Sequence, residues 1–401
     1  METLAGVALH GLRIGHVPGM EISETGTIRP HSGPESGRPQ TGPIQPYILD
    51  FKLYQTYLGR DRFLMKILVT GGAGYIGSTV AGLLADNGVR TVVFDNLSHG
   101  RRDLLPPSID FIEGELADRP ALEKIFTTAK AQGTPFDGVL HFAALIEAGE
   151  SMLHPEQYFR NNTASTLTLL EAILAHGPRR LVFSSTAAVY GEPELIPIKE
   201  DARLLPTNAY GESKLLVEEM LDWFHRIHGL RCASLRYFNV AGAHEGPGGI
   251  TRGEAHEPES HLIPLVLDVA LGRRTSIRIY GDDYPTPDGT CIRDYIHVSD
   301  LADAHLLALH ALEGDAAAQS RLIFNLGNGQ GFSVLEVIES ARRVTGHPIP
   351  AEVHPRRPGD PAVLVASSKK AIRELGWMPR YTKLDEIIRT AWIWHQKRYG
   401  G

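Results

Sequence analysis

The chain has 401 residues, 40 of them Lys or Arg and 47 Asp or Glu, a formal charge of −7, with 42 % apolar and 22 % charged residues. That balance excludes a wholly disordered chain and offers no basic surface for nucleic acid or anionic membranes. No run of about 18 uncharged apolar residues is present to cross a bilayer. Two cysteines, Cys232 and Cys291, are too few for a disulfide framework and make a cytoplasmic home the expectation.

Residues 1–64 are rich in Gly and Pro, and the stretch from Arg29 to Pro46 follows neither a helical nor a strand period. Met1–Gly15 lacks the basic start and apolar core of a signal peptide, and acids match bases too evenly for a transit peptide. The segment is expected to be a disordered extension, or a translated upstream region with Met65 as the natural start. Order begins at Lys66–Thr70, a β-branched run that reads as a buried parallel strand.

Glycines 71, 74 and 77 follow at a G-x-x-G-x-x-G spacing, ahead of a helical pattern over Ser78–Asn87. Gly71 permits the tight turn, Gly74 lets backbone approach a pyrophosphate, and Gly77 lets helix and strand pack closely. The helix N-terminus offers unpaired N–H groups to phosphate. Thr91–Phe94 is a second strand ending at Asp95, where an acid accepts bonds from ribose hydroxyls and repels a 2′-phosphate, favouring NAD over NADP.

Further strands are expected at Ile109–Glu113, Gly138–Ala143, Arg180–Ser184 and Arg231–Arg236, with helices between them. This βα alternation predicts an α/β doubly wound parallel sheet, Rossmann-like, over 65–243. A smaller α/β substrate-binding region is expected over 244–401, with about 292–312 returning to the first part. Ligands bind at the carboxyl ends of such strands. Ala143 and Ala144 stand at one of these ends, as small residues that let a cofactor lie close or as ordinary core. Tyr210 and Lys214 share a helix face four residues apart, in a stretch running to about His228. A nearby ammonium, or an oxidised nicotinamide, would favour the phenolate. Thr186, at a strand end, can bridge Tyr210 and a substrate hydroxyl. The run His256–His261 holds two histidines and two glutamates but reads as loop, with no metal expected.

Several stretches together resemble the extended short-chain dehydrogenase/reductase family, and within it the UDP-sugar 4-epimerases. They are Thr70–Gly77, Phe142–Ala144, Ala209–Lys214, Leu235–Asn239, Ile279–Asp300 and Arg356–Pro361. The resemblance implies an NAD-dependent isomerase acting on UDP-glucose and UDP-galactose through a 4-keto sugar. Tyr210 would act as base and then acid, Lys214 would tune it and hold the nicotinamide ribose, and Thr186 would fill the family's Ser/Thr position. The implied cofactor contacts are Gly71, Gly74, Tyr75, Ile76, Gly77, Asp95, Asn96, Glu115, Leu116, Phe142, Ala143, Ala144, Asn162, Tyr210, Lys214 and Tyr237. The implied UDP-sugar contacts are Thr186, Asn239, His261, Leu262, Tyr280, Arg293, Arg357, Asp360 and Leu364.

Four positions depart from the family pattern. Ile146 stands where many members have lysine, Glu115-Leu116 where some have aspartate, His261 where some have asparagine, and Leu364 where some have tyrosine. The smaller Leu364 suggests room for a 2-acetamido group, hence UDP-GlcNAc and UDP-GalNAc. The family's 4,6-dehydratases need an acid–base pair after the strand-end threonine, where this chain has Ala187 and Ala188. A UDP-pentose or UDP-uronate 4-epimerase, or a non-catalytic NAD-sensing protein, stays open. The helices over about 155–176 and 209–228 correspond to the family's homodimer helices.

Overall fold

The computed structural model describes residues 20–22, 28–30, 65–246, 251–313, 321–357 and 360–400. The chain divides into two units, Met1–Ile48 and Leu49–Gly401. In the first, Met20–Ile22 pairs antiparallel with Ile28–Pro30. Regular backbone therefore occurs where irregular chain is expected, because a three-residue ladder needs little from composition. The rest of the expected 1–64 extension lies outside the described residues.

The second unit is built on seven parallel strands: β1 (Lys66–Thr70), β2 (Arg90–Asp95), β3 (Asp110–Glu113), β4 (Gly138–His141), β5 (Arg180–Thr186), β6 (Arg231–Tyr237) and β7 (Leu322–Leu326). Their order is β7-β6-β5-β4-β1-β2-β3. Successive side chains of a strand point to opposite faces. Ile67 and Val69 accordingly join Val80, Leu84, Leu301 and Leu309 on one side. Leu68 joins Phe94, Phe126, Leu170 and Leu221 on the other. Both faces are covered, which is why β1 reads as an unbroken apolar run. Helix Val298–Ala311 thus packs beside the helix that opens the chain's first βα unit.

Three boundaries differ from expectation for local reasons. The first helix begins at Tyr75 rather than Ser78, because Gly74 is extended (φ −74°, ψ 176°) and serves as its N-cap. β4 stops at His141, where the N–H groups of Phe142 and Ala143 both turn to the Thr70 carbonyl, at 2.9 and 3.1 Å. The expected helix from Gly331 opens instead as a strand, Gly331–Ser333. Ser333 then caps helix Val334–Thr345 in a reciprocal pair with Glu336.

Beyond β6 the chain builds a second small sheet around Ile292–His297, which pairs with Asn239–Ala241, Gly331–Ser333 and Val363–Leu364. Helices Leu262–Ala270, Val334–Thr345 and Leu384–Tyr399 share one apolar cluster behind it. Beneath the central sheet, Glu218 and Arg236 form a bidentate pair (2.9 and 2.6 Å), both buried, with Ser185 donating to the same carboxylate at 2.6 Å. Removing one partner of such a pair strands a buried charge. Glu218→Ala should therefore lower the unfolding free energy by about 3–5 kcal/mol in denaturant titration. A loss below about 1 kcal/mol would show that water already solvates Arg236.

Candidate active site

The carboxyl ends of β1, β2, β4 and β5 open into one cleft of about 430 Å³. Its floor is the glycine loop, and each glycine there has a separate steric reason. Gly71 has φ +70°, and a Cβ on it would stand 2.3 Å from the Ala143 nitrogen. A Cβ on Gly77 would stand 2.2 Å from the Gly71 oxygen, whereas one on Gly74 would meet only that oxygen, at 3.4 Å. Gly77 thus packs helix on strand, and Gly74 leaves a bare patch facing the cleft. The helix behind it carries no acid in its first turn, so its N–H groups and dipole are free to meet an anion.

The other expected cofactor residues gather round this loop. Asp95 ends β2 with its carboxylate accepting the N–H of Ala73 (2.9 Å) and of Leu97 (2.8 Å). It fixes the glycine loop and keeps lone pairs for further donors. Asn96 donates to Glu115 at 3.1 and 3.2 Å. Ile76, Leu116, Phe142, Ala143, Ala144 and Ile146 supply apolar wall. Tyr75 also borders the cleft, its buried hydroxyl donating to the Gly242 carbonyl at 2.6 Å.

Asn162 is different. Its amide is spent on Leu145 (N–H 2.8 Å, carbonyl 3.0 Å) and on Ser213 (3.0 Å). It sits in a π-helical stretch, Phe159–Ala164, which turns it inward. Its amide pins the loop after β4, and Asn162 is not among the residues that line the cleft.

At the deep end stand Tyr210, Lys214 and Tyr237. Tyr210 opens helix Ala209–His228, whose N-cap Asn208 accepts the Gly211 N–H at 2.8 Å. Burial pushes the Tyr210 phenol up to about 12; its hydrogen bond with Thr186 opposes this, and the nearby Glu147 carboxylate adds to it. Burial pushes the Lys214 ammonium down to about 7. The lysine does not reach for the phenol. Its Nζ donates to the Ser184 carbonyl at 2.9 Å and lies 4.9 Å from the centre of the Phe183 ring. In the protein alone burial outweighs what lowers the Tyr210 phenol. Tyr237 is held by a short hydrogen bond with Ser184, and burial raises its phenol.

Thr186 ends β5, its Oγ1 accepting the Ala188 N–H at 3.1 Å. Glu147, beside the phenol, was not expected from the sequence; only its place in the loop after β4 signals it.

The expected UDP-sugar residues form a second group around strand Ile292–His297. Arg293 pairs with Asp360 and lies in register with Leu364. Asn239 lies in register with Tyr295 and hydrogen-bonds its hydroxyl. The Arg357 guanidinium lies 4.0 Å above the Tyr280 ring. Leu364 packs with Ala187, Ile198 and Phe238. Leu262 starts helix Leu262–Ala270, with His261 as its N-cap. The His261 Nδ1 is 2.9 Å from Glu254 and 3.0 Å from Glu259, so it belongs to a side-chain cluster.

The chain matches the NAD dependent epimerase/dehydratase family over residues 67–327. It is 54 % identical over 336 residues to the UDP-glucose 4-epimerase of Streptomyces lividans, covering 84 % of this chain and 98 % of that one. The UDP-glucose 4-epimerase of Brucella ovis, solved with NAD, superposes with a TM-score of 0.76 at 44 % identity, over 82 % of this chain and 98 % of its own. That of Bifidobacterium longum, solved with NAD+ and UDP, gives 0.77 at 37 % identity, over 84 % and 99 %. The glycine loop, the strand-end acid and the Tyr210–Lys214 helix thus sit in a chain that belongs to the NAD dependent epimerase/dehydratase family.

Proposed function

We propose that this protein inverts C4 of a UDP-hexose, interconverting UDP-glucose and UDP-galactose with NAD as cofactor. The observation that carries this reading is the pairing of a Tyr210–Thr186 hydrogen bond with a glycine-loop cleft. The residues present fit the dinucleotide. The bare Gly74 face and helix N-terminus would receive its pyrophosphate, Asp95 an adenosine ribose hydroxyl, and Lys214 the nicotinamide ribose. Held there, NAD would supply the acceptor and donor for the C4 hydride.

Tyr210 removes the proton of the 4-hydroxyl, relayed or oriented by Thr186, and later gives it back. The 4-keto sugar must turn over between the two steps. Specific grip is therefore placed on the nucleotide, through Tyr280, Asn239 and the guanidinium groups of Arg293 and Arg357, which suit pyrophosphate. Ala187 and Ala188 leave no side chain for the C5–C6 proton transfers of a dehydratase. We read 65–243 with the returning segments as the cofactor part and the remainder as the sugar-nucleotide part. The exposed Leu167, Trp223 and Ile227 on the helices Ser165–His176 and Ala209–His228 support a homodimer. Among the described residues no helix is long and apolar enough to cross a membrane; the cysteine usage supports a cytoplasmic location.

Purified protein incubated with UDP-galactose should yield UDP-glucose without added reductant, and Tyr210→Phe should lower the rate about a thousandfold. Turnover by Tyr210→Phe at the wild-type rate would refute the assignment. Because burial raises the phenol and Lys214 donates to the Ser184 carbonyl, a cation in the cleft would lower the phenol. The tyrosinate titration that distinguishes wild type from Tyr210→Phe should move down by at least about one unit on saturation with NAD, about 1.4 kcal/mol. An unmoved titration would contradict this electrostatic account. Leu364 supports acceptance of UDP-GalNAc, and Leu364→Tyr should cut that activity about tenfold relative to UDP-galactose; unchanged selectivity would remove Leu364 from the sugar pocket.

A further inference from the structure

The strap between strand Thr251–Gly253 and helix Leu262–Ala270 brings four ligand-bearing side chains to one point: Glu254, His256, Glu259 and His261. One donor atom from each lies within 4.8 Å of all the others. The Glu254 carboxylate is 3.1 Å from Nδ1 of His256 and 2.9 Å from Nδ1 of His261. Glu259 is 3.0 Å from His261 and 4.0 Å from His256. Donors around a tetrahedral ion bound at about 2.0–2.1 Å stand about 3.3 Å apart, so the observed edges bracket the requirement. Two imidazole nitrogens and two carboxylates are a ligand set for a borderline divalent transition metal.

Charge arithmetic points the same way. Glu254 is only 7 % exposed and its partners are two imidazoles. Two positive charges balance these two carboxylates, as two imidazoliums or as one divalent ion. One divalent ion supplies both from the centre, displacing up to two protons. The surroundings hold the strap firmly on other sides. Trp394 Nε1 donates to the Glu254 carbonyl at 2.8 Å, and Ser260 Oγ donates to Glu147 at 2.7 Å.

We propose that Glu254, His256, Glu259 and His261 bind one divalent metal ion of the Zn2+ type, which clamps this strap over the cofactor cleft. His256, Pro258 and Ser260 line that cleft, and the His256 ring meets Tyr75 of the glycine loop edge-on at 6.4 Å. An ion tying His256 to His261 and Glu254 therefore fixes one wall of the cleft. The clamp rests on reading the cleft as the NAD site; metal binding does not.

The test uses tag-free, NAD-loaded protein stripped with chelator and titrated with Zn2+ against a chromophoric chelator, and with Co2+ in parallel. One equivalent should bind with Kd below about 1 μM, and Co2+ should give the visible bands of a tetrahedral ion. Glu259→Gln should weaken binding at least about tenfold with an unchanged circular dichroism spectrum, and His256→Ala at least about a hundredfold. NAD release, followed by fluorescence, should slow at least about fivefold when Zn2+ is present. Substoichiometric binding to the wild-type chain, or binding by His256→Ala as tight as wild type, overturns the site. Stoichiometric metal with unchanged NAD release overturns the clamp. A chain that takes up metal but no NAD refutes the reading of the cleft instead.

Discussion

Desolvation at the deep end of the cleft is the constraint on which the rest of the structure depends. The same burial that raises Tyr210 to about 12 lowers Lys214 to about 7. Neither side chain is set for its charged form by the protein alone. On the proposed mechanism a cation bound beside the phenol would carry much of the work of making a base, because electrostatic interactions strengthen where water is excluded. The fold serves that requirement. β4, β5 and β6 bring Ala143, Ser184 and Tyr237 to one rim. The helix beginning at Ala209 lays Tyr210 across it, while the Ser184 carbonyl holds Lys214 in place.

The glycine loop answers a different demand, close approach. Gly71 and Gly77 are fixed by backbone that no side chain could clear, and Gly74 by what it leaves open. Asp95 links the loop to the strand-end chemistry. Its carboxylate holds the Ala73 and Leu97 N–H groups, so the acid proposed to meet the ribose also sets the glycine loop. The residues proposed to hold the nucleotide stand on a separate small sheet, where strand Ile292–His297 carries Arg293 and aligns Asn239 and Leu364 in register. Holding the nucleotide on one sheet and running the proton chemistry on another suits a sugar that must turn between two half-reactions.

Much of this was legible in the sequence, because β1 and the loop after it are specified locally. An unbroken apolar run marks a strand covered on both faces, and the glycine spacing marks the loop. What escaped depended on contacts distant in the chain. β7 joins the sheet edge beside β6 only after the long excursion through the second sheet, and its five residues carry no motif. Lys214 was expected to face Tyr210, but its partner is a backbone carbonyl, which no residue pattern announces. Asn162 lies in a π-helical stretch whose extra residue per turn a 3.6-residue period cannot foresee. The run His256–His261 was read as plain loop because the expected reaction needs no metal; Glu254 joins its side chains only in the folded strap.

The central claim is that hydrogen leaves C4 and returns to C4 without passing through solvent, while Tyr210 handles only the hydroxyl proton. UDP-galactose carrying deuterium at C4, converted in ordinary water and analysed by NMR, tests this directly. The account predicts UDP-glucose with the deuterium retained at C4. Loss of the label to water would contradict it, because it would make C4 itself the site of proton exchange.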